Sequence, residues 1–416
     1  MAYRFPEEEN EGSACAARSR SRLTCGAMRR AVAMLVAAGL LSGCSLGDEE
    51  TRPPQLGVQA DDDEAAEGVG SPSSATRNTV RVGGSDSAAD AAGVAAALFP
   101  ATGSSDRPTA VALIDVDDWQ SGIAASVLAG PPVGAPLLIS DGEELPAVTR
   151  DTLERLAPRG SDLSKDAQVI RIGQEVARPE GFKTAVIEGD NPYQRAAAID
   201  RFFSAARGRP SGDVLLYSGE RPKWAMPAAS WAARSGDAVL PVRATSVPAP
   251  VARALETHER PNVYLLGTER VIGTEVARLL RRRRLARSVD RIAGPTPVEN
   301  AISFARYKKG DFGWGIVVPG YNFAVASTTR PADAPAAAPL ATRGVFAPLL
   351  LTDRAEALPE PLEAYLLSVQ PGYEDDPGQA VYNRAWILGD DSAISLRQQA
   401  QIDRITELIP VQANAP

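Results

Sequence analysis

The sequence predicts an α/β fold of three pseudo-repeated subdomains, each a small, mostly parallel sheet flanked by helices. Three observations carry this reading. Gly84, Gly189 and Gly294 stand 105 residues apart, each after a short β-branched run. Each is followed by helix-start chemistry. Beyond that, near-continuous apolar runs alternate with helix-forming segments in the same order in every copy, the pattern of a parallel sheet covered on both faces. Crossovers in such a sheet are right-handed. A unit of this length suits one small domain and exceeds the usual solenoid or propeller repeat, so three packed lobes are expected. The boundaries read as 78–180, 181–287 and 288–416.

The first element of each copy is a strand and turn: Arg81-Val82-Gly83-Gly84-Ser85-Asp86, Val186-Ile187-Glu188-Gly189-Asp190-Asn191 and Arg291-Ile292-Ala293-Gly294-Pro295-Thr296. Asp86, Asn191 and Thr296 are good N-caps, because their side-chain oxygens accept orphan amide protons at a helix start. Pro192 and Pro297 suit the first helical position. Gln194 and Glu299 stand three residues after their caps, as in a capping box. A second apolar strand is expected at 110–114, 214–217 and 315–318. Trp119, Trp224 and Phe323 then precede small-residue helices, on what read as equivalent loops. A third strand with a proline-terminated loop follows at 135–140, 238–240 and 347–352. The last strand of each copy ends at Gly173, Gly267 or Gly389.

Upstream of the repeats, Arg29-Arg30 precedes an uncharged, apolar run over 31–41. A basic start, an apolar run of about 7–15 residues and a small-residue cut site make a secretory signal. The run is too short to span a bilayer, which needs about 20 apolar residues. Leu41-Ser42-Gly43-Cys44 resembles the lipobox of bacterial lipoproteins, which implies cleavage before Cys44 and lipid on its sulfur. Residues 1–43 thus read as an upstream leader and signal peptide, with Met28 as the start. The other cysteines, Cys15 and Cys25, precede Met28, so the mature chain keeps a single thiol and forms no internal disulfide or thiolate metal site. Residues 44–77 carry Asp48-Glu49-Glu50, Asp61-Asp62-Asp63 and Ser71-Pro72-Ser73-Ser74, with little to bury, and read as a disordered tether.

The formal net charge is −8, and removal of residues 1–43 makes the remainder more acidic still. Such a chain is a poor general binder of nucleic acid. No constellation points to catalysis, and no cofactor or metal is expected. His258 is the only histidine, in Glu256-Thr257-His258-Glu259-Arg260. That stretch reads as a solvated helix end. Ser-His and Cys-His systems and typical zinc sites therefore cannot be assembled. Gly83-Gly84-Ser85 lacks the glycine spacing and lysine of a phosphate loop. Asp115-Val116-Asp117-Asp118 ends a strand and reads as a solvated acidic loop. Two features suit binding. Arg281, Arg282, Arg283 and Arg284, with Arg278 and Arg287, form a basic patch that can meet an anionic polymer or headgroups, or can simply favour a helix C-terminus. Trp119, Trp224 and Phe323 can stack on sugars or plug contacts between packed units.

The three units resemble the cell wall-binding repeat 2 family. The residues that carry this are Gly84-Ser85-Asp86 with Ala91; Gly189, Tyr193 and Ala196; the aromatics Trp119, Trp224 and Phe323; and Ala135-Pro136-Leu137-Leu138 with Leu145-Pro146, echoed by Ala347-Pro348-Leu349-Leu350 with Leu358-Pro359. The resemblance implies three subdomains around a pseudo-threefold axis and attachment to an anionic wall polysaccharide. The family's polar positions are largely replaced, by Ser87-Ala88, Pro192-Tyr193 and Pro297-Val298 among others, while the apolar ones persist. The expectation is a non-catalytic binding or scaffold lipoprotein of the cell envelope, anchored to the outer face of the membrane through Cys44. A solute-binding lipoprotein of a transporter and a carboxylate-dependent hydrolase remain as alternatives. The first needs two lobes around one cleft, and the second needs paired carboxylates facing a pocket.

Overall fold

The computed structural model describes residues 72–411, so the signal, Cys44 and most of the tether lie outside the described residues. Strand β1 (Pro72–Ala75) takes the end of the segment expected to be tether. It pairs antiparallel with β2 (Thr79–Val82), covering backbone groups that would otherwise form a bare sheet edge.

Helix α1 (Ser87–Leu98) leads to β3 (Val111–Asp115), α2 (Trp119–Ala125), β4 (Leu137–Ser140), α3 (Ala147–Leu156) and β5 (Val169–Ile172). The same order returns as β6 (Thr184–Ile187), α4 (Pro192–Arg207), β7 (Asp213–Ser218), α5 (Ala228–Ser235), β8 (Ala238–Val242), α6 (Ala249–Thr257) and β9 (Asn262–Leu266). After α7 (Thr274–Arg282) it returns again as β10 (Ser288–Ile292), α8 (Pro297–Arg306), β11 (Asn322–Ser327), α9 (Asp333–Ala337), β12 (Leu349–Thr352) and α10 (Glu360–Ser368). The short β13 (Gly372–Tyr373), then β14 (Arg384–Leu388), α11 (Leu396–Thr406) and β15 (Ile409–Pro410) complete the chain. The expected N-caps form: Asp86 accepts from the Ala89 amide, Asn191 from Gln194 and Thr296 from Glu299.

The sheets run out of phase with the sequence repeat. Their strand orders are β4-β3-β5-β6, β8-β7-β9-β10 and β12-β11-β14-β2-β1. Each parallel sheet takes three strands from one repeat and its fourth from the next. The third sheet closes the circuit by taking β2, the first strand of repeat 1, in parallel register against β14. The turn that follows each donated strand carries the chain to the next unit, and it explains the 105-residue glycine. A Cβ on Gly189 or Gly294 would meet the backbone nitrogen of Arg195 at 2.5 Å or of Asn300 at 2.1 Å. The strand-end glycines Gly173, Gly267 and Gly389 have φ of +108°, +108° and +90°, which a side chain would strain. Their amides donate to Ile187, Ile292 and Val82, the last residues of the donated strands.

Helices α2, α5 and α9, with the 3₁₀ turns after α2 and α9, pack on one another. Small residues permit this approach: a Cβ on Gly130 would meet the Ala233 carbonyl oxygen at 2.3 Å. The apolar strand residues Leu113, Leu216 and Val325 are fully buried.

One expected strand is misplaced in the sequence reading. Residues 315–318 form no strand; Val317 and Val318 are exposed, and the second strand of repeat 3 is β11. Residues 307–321 are a long connection, where repeat 2 uses only 208–212. Phe323 therefore lies inside β11 rather than in a loop.

Candidate binding surface

An arginine secures the turn after the last strand of each repeat. Arg81 donates to the carbonyls of Gly389 (2.6 Å) and Ile394 (2.7 Å), and Arg291 donates to those of Gly267 (2.7 Å) and Ile272 (2.9 Å). Repeat 2 has Val186 at the matching position. The role passes across the ladder to Arg171, the register partner of Val186, which donates to the Val176 carbonyl from Nε at 2.8 Å.

The residue six after each repeat glycine faces the turn after the second strand of the neighbouring unit. Asp118, Arg221 and Arg330 occupy that turn, each donating its amide to the residue three before it. Between repeats 1 and 2, Arg195 Nε meets Asp118 Oδ2 at 2.8 Å and Ser121 Oγ at 3.1 Å. Between repeats 3 and 1 the charges are reversed: Arg330 pairs with Asp90, and also with Asp333 at 3.4 Å and Asp390 at 3.6 Å. Between repeats 2 and 3 the contact is neutral, with Asn300 accepting from the Gly294 amide and donating to the Trp224 carbonyl, each at 3.0 Å.

Asp90 and Asp333 have no exposed surface. Burial, and then the charge of Asp333, push the Asp90 carboxyl well above its usual range against the pull of Arg330. Burial likewise raises Asp333, whose Oδ1 accepts from Ser87 at 2.6 Å. This is a facing carboxylate pair, but it is sealed inside an interface and meets no substrate. It holds one arginine between units, and burial favours the protonated form of its carboxyls.

His258 is buried, contrary to the expected solvated helix end. Its Nδ1 lies 2.7 Å from the Ser211 carbonyl and its Nε2 3.0 Å from both Asp200 oxygens. Both partners are acceptors, an arrangement that favours the protonated ring. Burial alone lowers the imidazole pKa; Asp200 and the Ser211 carbonyl outweigh it and leave it raised. The ring ties α4 to the end of α6.

The residues expected to bind fall into two groups. Arg281, Arg282, Arg283 and Arg284 are all exposed at the end of α7. Trp119 and Trp224 are half-buried against the core, and Trp224 Nε1 donates to the Gly294 carbonyl at 3.1 Å. Phe323 is fully buried and packs edge-on against Tyr365, so it offers no face to a sugar.

The sequence reading missed an aromatic groove between repeats 2 and 3, a cavity of about 470 Å³. The 307–321 connection folds onto the amino-terminal edge of the second sheet. There Phe312 stacks on Tyr264 with ring centroids 3.5 Å apart, and Trp314 meets Trp231 edge-on at 5.4 Å. Trp231 is held by its Nε1 donating to Asp237 at 2.8 Å. Tyr321 and Phe346 are exposed at the groove, and the Arg234 guanidinium lies 4.5 Å from the Phe346 ring centre. The density of aromatics in Phe312-Gly313-Trp314 was the available signal. Among the described residues no group of three His, Cys, Asp or Glu side chains is placed to hold a metal ion.

Residues 291–398 match the family model described as cell wall binding domain 2 (CWB2). The fold is shared with Cwp6 from Clostridium difficile (TM-score 0.61, 16% identity), over 82% of this chain and 49% of that one. It is shared also with Cwp8 from Clostridium difficile (TM-score 0.59, 18% identity), over 80% of this chain and 52% of that one. The match thus takes in about half of each of those chains. No curated protein matches the sequence.

Proposed function

We propose that this chain is a cell wall-binding surface protein of the bacterial envelope with a non-catalytic binding or scaffold role. The observation that carries this reading is the match of 291–398 to the cell wall binding domain 2 model, in a chain whose other two repeats build the same strand–helix order. The strand exchange that returns from repeat 3 to β2 supports a pseudo-threefold arrangement of the units. Three sheets linked in a circuit favour wall binding over a solute receptor built as two lobes around a cleft.

Cys44 bears lipid in this reading, and the lipid holds the protein to the outer face of the membrane while the repeats meet an anionic wall polysaccharide. The exposed Arg281–Arg284 run suits that polymer, since closely spaced guanidiniums attract phosphate or carboxylate at short range. Two measurements test the reading. Cys44→Ser should release the protein from the membrane fraction; membrane retention of the unlipidated variant contradicts the anchor. The soluble Cys44→Ser protein should sediment with purified wall and lose that retention once the anionic polymer is stripped. Absence of sedimentation at physiological salt contradicts wall binding.

A further inference from the structure

The groove between repeats 2 and 3 has a feature that the other two units lack. A residue two or three places before the third strand of each unit adopts a left-handed backbone. In repeats 1 and 2 that residue is glycine, Gly134 with φ +63° and Gly236 with φ +75°. In repeat 3 it is Phe346, with φ +54°. A bulky side chain is strained in this conformation, and such strain gathers where a side chain has work at a surface. Phe346 gains no burial in return: it is 44% exposed, with Arg234 against its ring. The 307–321 connection, far longer than its counterpart 208–212 in repeat 2, brings Trp314 and Tyr321 to the same groove.

We infer that this groove is a glycan-binding subsite, in which pyranose rings lie against Trp314, Phe346 and Tyr321 and their hydroxyls are held by Arg234, Lys308 and Arg207. The inference rests on the wall-binding reading and names where in the chain the contact is made. The apolar C–H face of a pyranose matches an aromatic ring, and its hydroxyls need polar partners at the rim. Both are present. Trp314 is fixed edge-on by Trp231, Arg207 is steadied by donating to the Gly236 carbonyl (3.3 Å), and Lys308 by donating to the Gly313 carbonyl (3.2 Å). The cations are offset by Asp213, Asp237 and Asp311, so the groove itself selects for sugar rings rather than for net charge. Charge selection is left to the separate arginine run.

The test uses the soluble Cys44→Ser protein and two further changes on it, Phe346→Gly and Trp314→Ala. Binding is read by sedimentation with purified wall and by tryptophan fluorescence during titration with wall-derived oligosaccharides, neutral and acidic in separate arms. Phe346→Gly removes the ring and relieves the backbone, so the expected result is an unchanged or higher melting temperature together with about tenfold weaker binding. Trp314→Ala should weaken binding similarly and reduce the fluorescence response. Wild-type retention that both variants share undiminished overturns the groove and leaves wall binding standing. Absence of wild-type retention and of any oligosaccharide response overturns both. Weaker self-association of Phe346→Gly with unchanged sugar binding assigns the surface to a second copy of this chain and also overturns the proposal.

Discussion

The contact between repeats 1 and 2 and the contact between repeats 3 and 1 use the same two positions with opposite charge. In the first, Asp118 on the turn meets Arg195 on the helix, and each side chain keeps 19% of its surface in water. In the second, Arg330 on the turn meets Asp90 on the helix, and Asp90 has none. The two contacts also differ in how the units are joined. Repeats 1 and 2 are joined through β6 and the turn that follows it, so the ion pair there trims an association the chain already enforces. Repeats 3 and 1 meet only because the two ends of the described chain come together, and there a deeper network of Arg330, Asp90, Asp333, Asp390 and Ser87 fixes the partner. Reversed signs also oppose wrong pairings: an Arg330 turn set against the Arg195 helix would place like charges together.

The largest effect should come from breaking the buried side of this comparison. Arg330→Met leaves two carboxyls buried without their cation, and removing one partner of a buried pair costs about 3–5 kcal/mol. A loss of unfolding free energy of that order, read by denaturant titration, is expected, larger at alkaline than at acid pH. Asp90 and Asp333 are raised in the folded state, so their contribution is complete below the ordinary carboxyl range and is lost as pH rises through their folded pKa values. The groups facing Arg330 and its partners, Asp86, Asp390 and Arg81, are included in that balance. Equal loss at all pH values contradicts the raised carboxyl pair.

A second test sets the same sign rule on a site far from either contact. His258 is raised by Asp200 and Ser211, so its pair stabilises the fold below the ordinary imidazole value and the gain fades as pH rises through the folded one. His258→Asn should cost about 1.5–3 kcal/mol near pH 6, the range for hydrogen bonds to charged groups, and less at higher pH. A loss that grows with pH contradicts the doubly protonated ring.

Smaller effects are expected on the half-exposed side. A double-mutant cycle on Asp118→Asn and Arg195→Gln should give a coupling of about 0.5–1 kcal/mol, the lower part of the range for touching residues because water screens the pair. A coupling as large as that of Arg330 with Asp90 would erase the contrast between the two contacts. Smallest of all per residue, Ser at Arg281, Arg282, Arg283 and Arg284 should move stability by no more than about 0.5 kcal/mol for each change, since all four are exposed, while lowering wall retention most at low salt, where their charge is least screened. Unchanged retention removes the run from the binding surface.

The repeat period, the caps and the strand ends at Gly173, Gly267 and Gly389 were legible because they are local: each needs only the turn or helix start a few residues away. The inverted pair was written in the sequence too, as Asp90, Arg195 and Asn300 at a fixed offset from the repeat glycine, but reading it required knowing which turn lies opposite. What escaped was non-local. Nothing around Thr79–Val82 says that its partner is Arg384–Leu388, some three hundred residues away. Phe323 reads as a loop aromatic because the connection over 307–321 is longer than in repeat 2, which shifts the apparent register. His258 looked solvated because its partner Asp200 lies on another helix. The arginine that moves from the position of Val186 to Arg171 follows the same lesson: a function kept across a ladder is invisible along one strand.

The central structural claim is that the first strand of the folded region completes the last sheet, and amide hydrogen exchange on Val82→Asp tests it most directly. Val82 is fully buried, and its carbonyl accepts from Gly389. The account predicts lost protection in β11 and β14, at 322–327 and 384–388, with β3 and β7 still protected. Loss confined to residues 79–98, with β14 as protected as before, would contradict it.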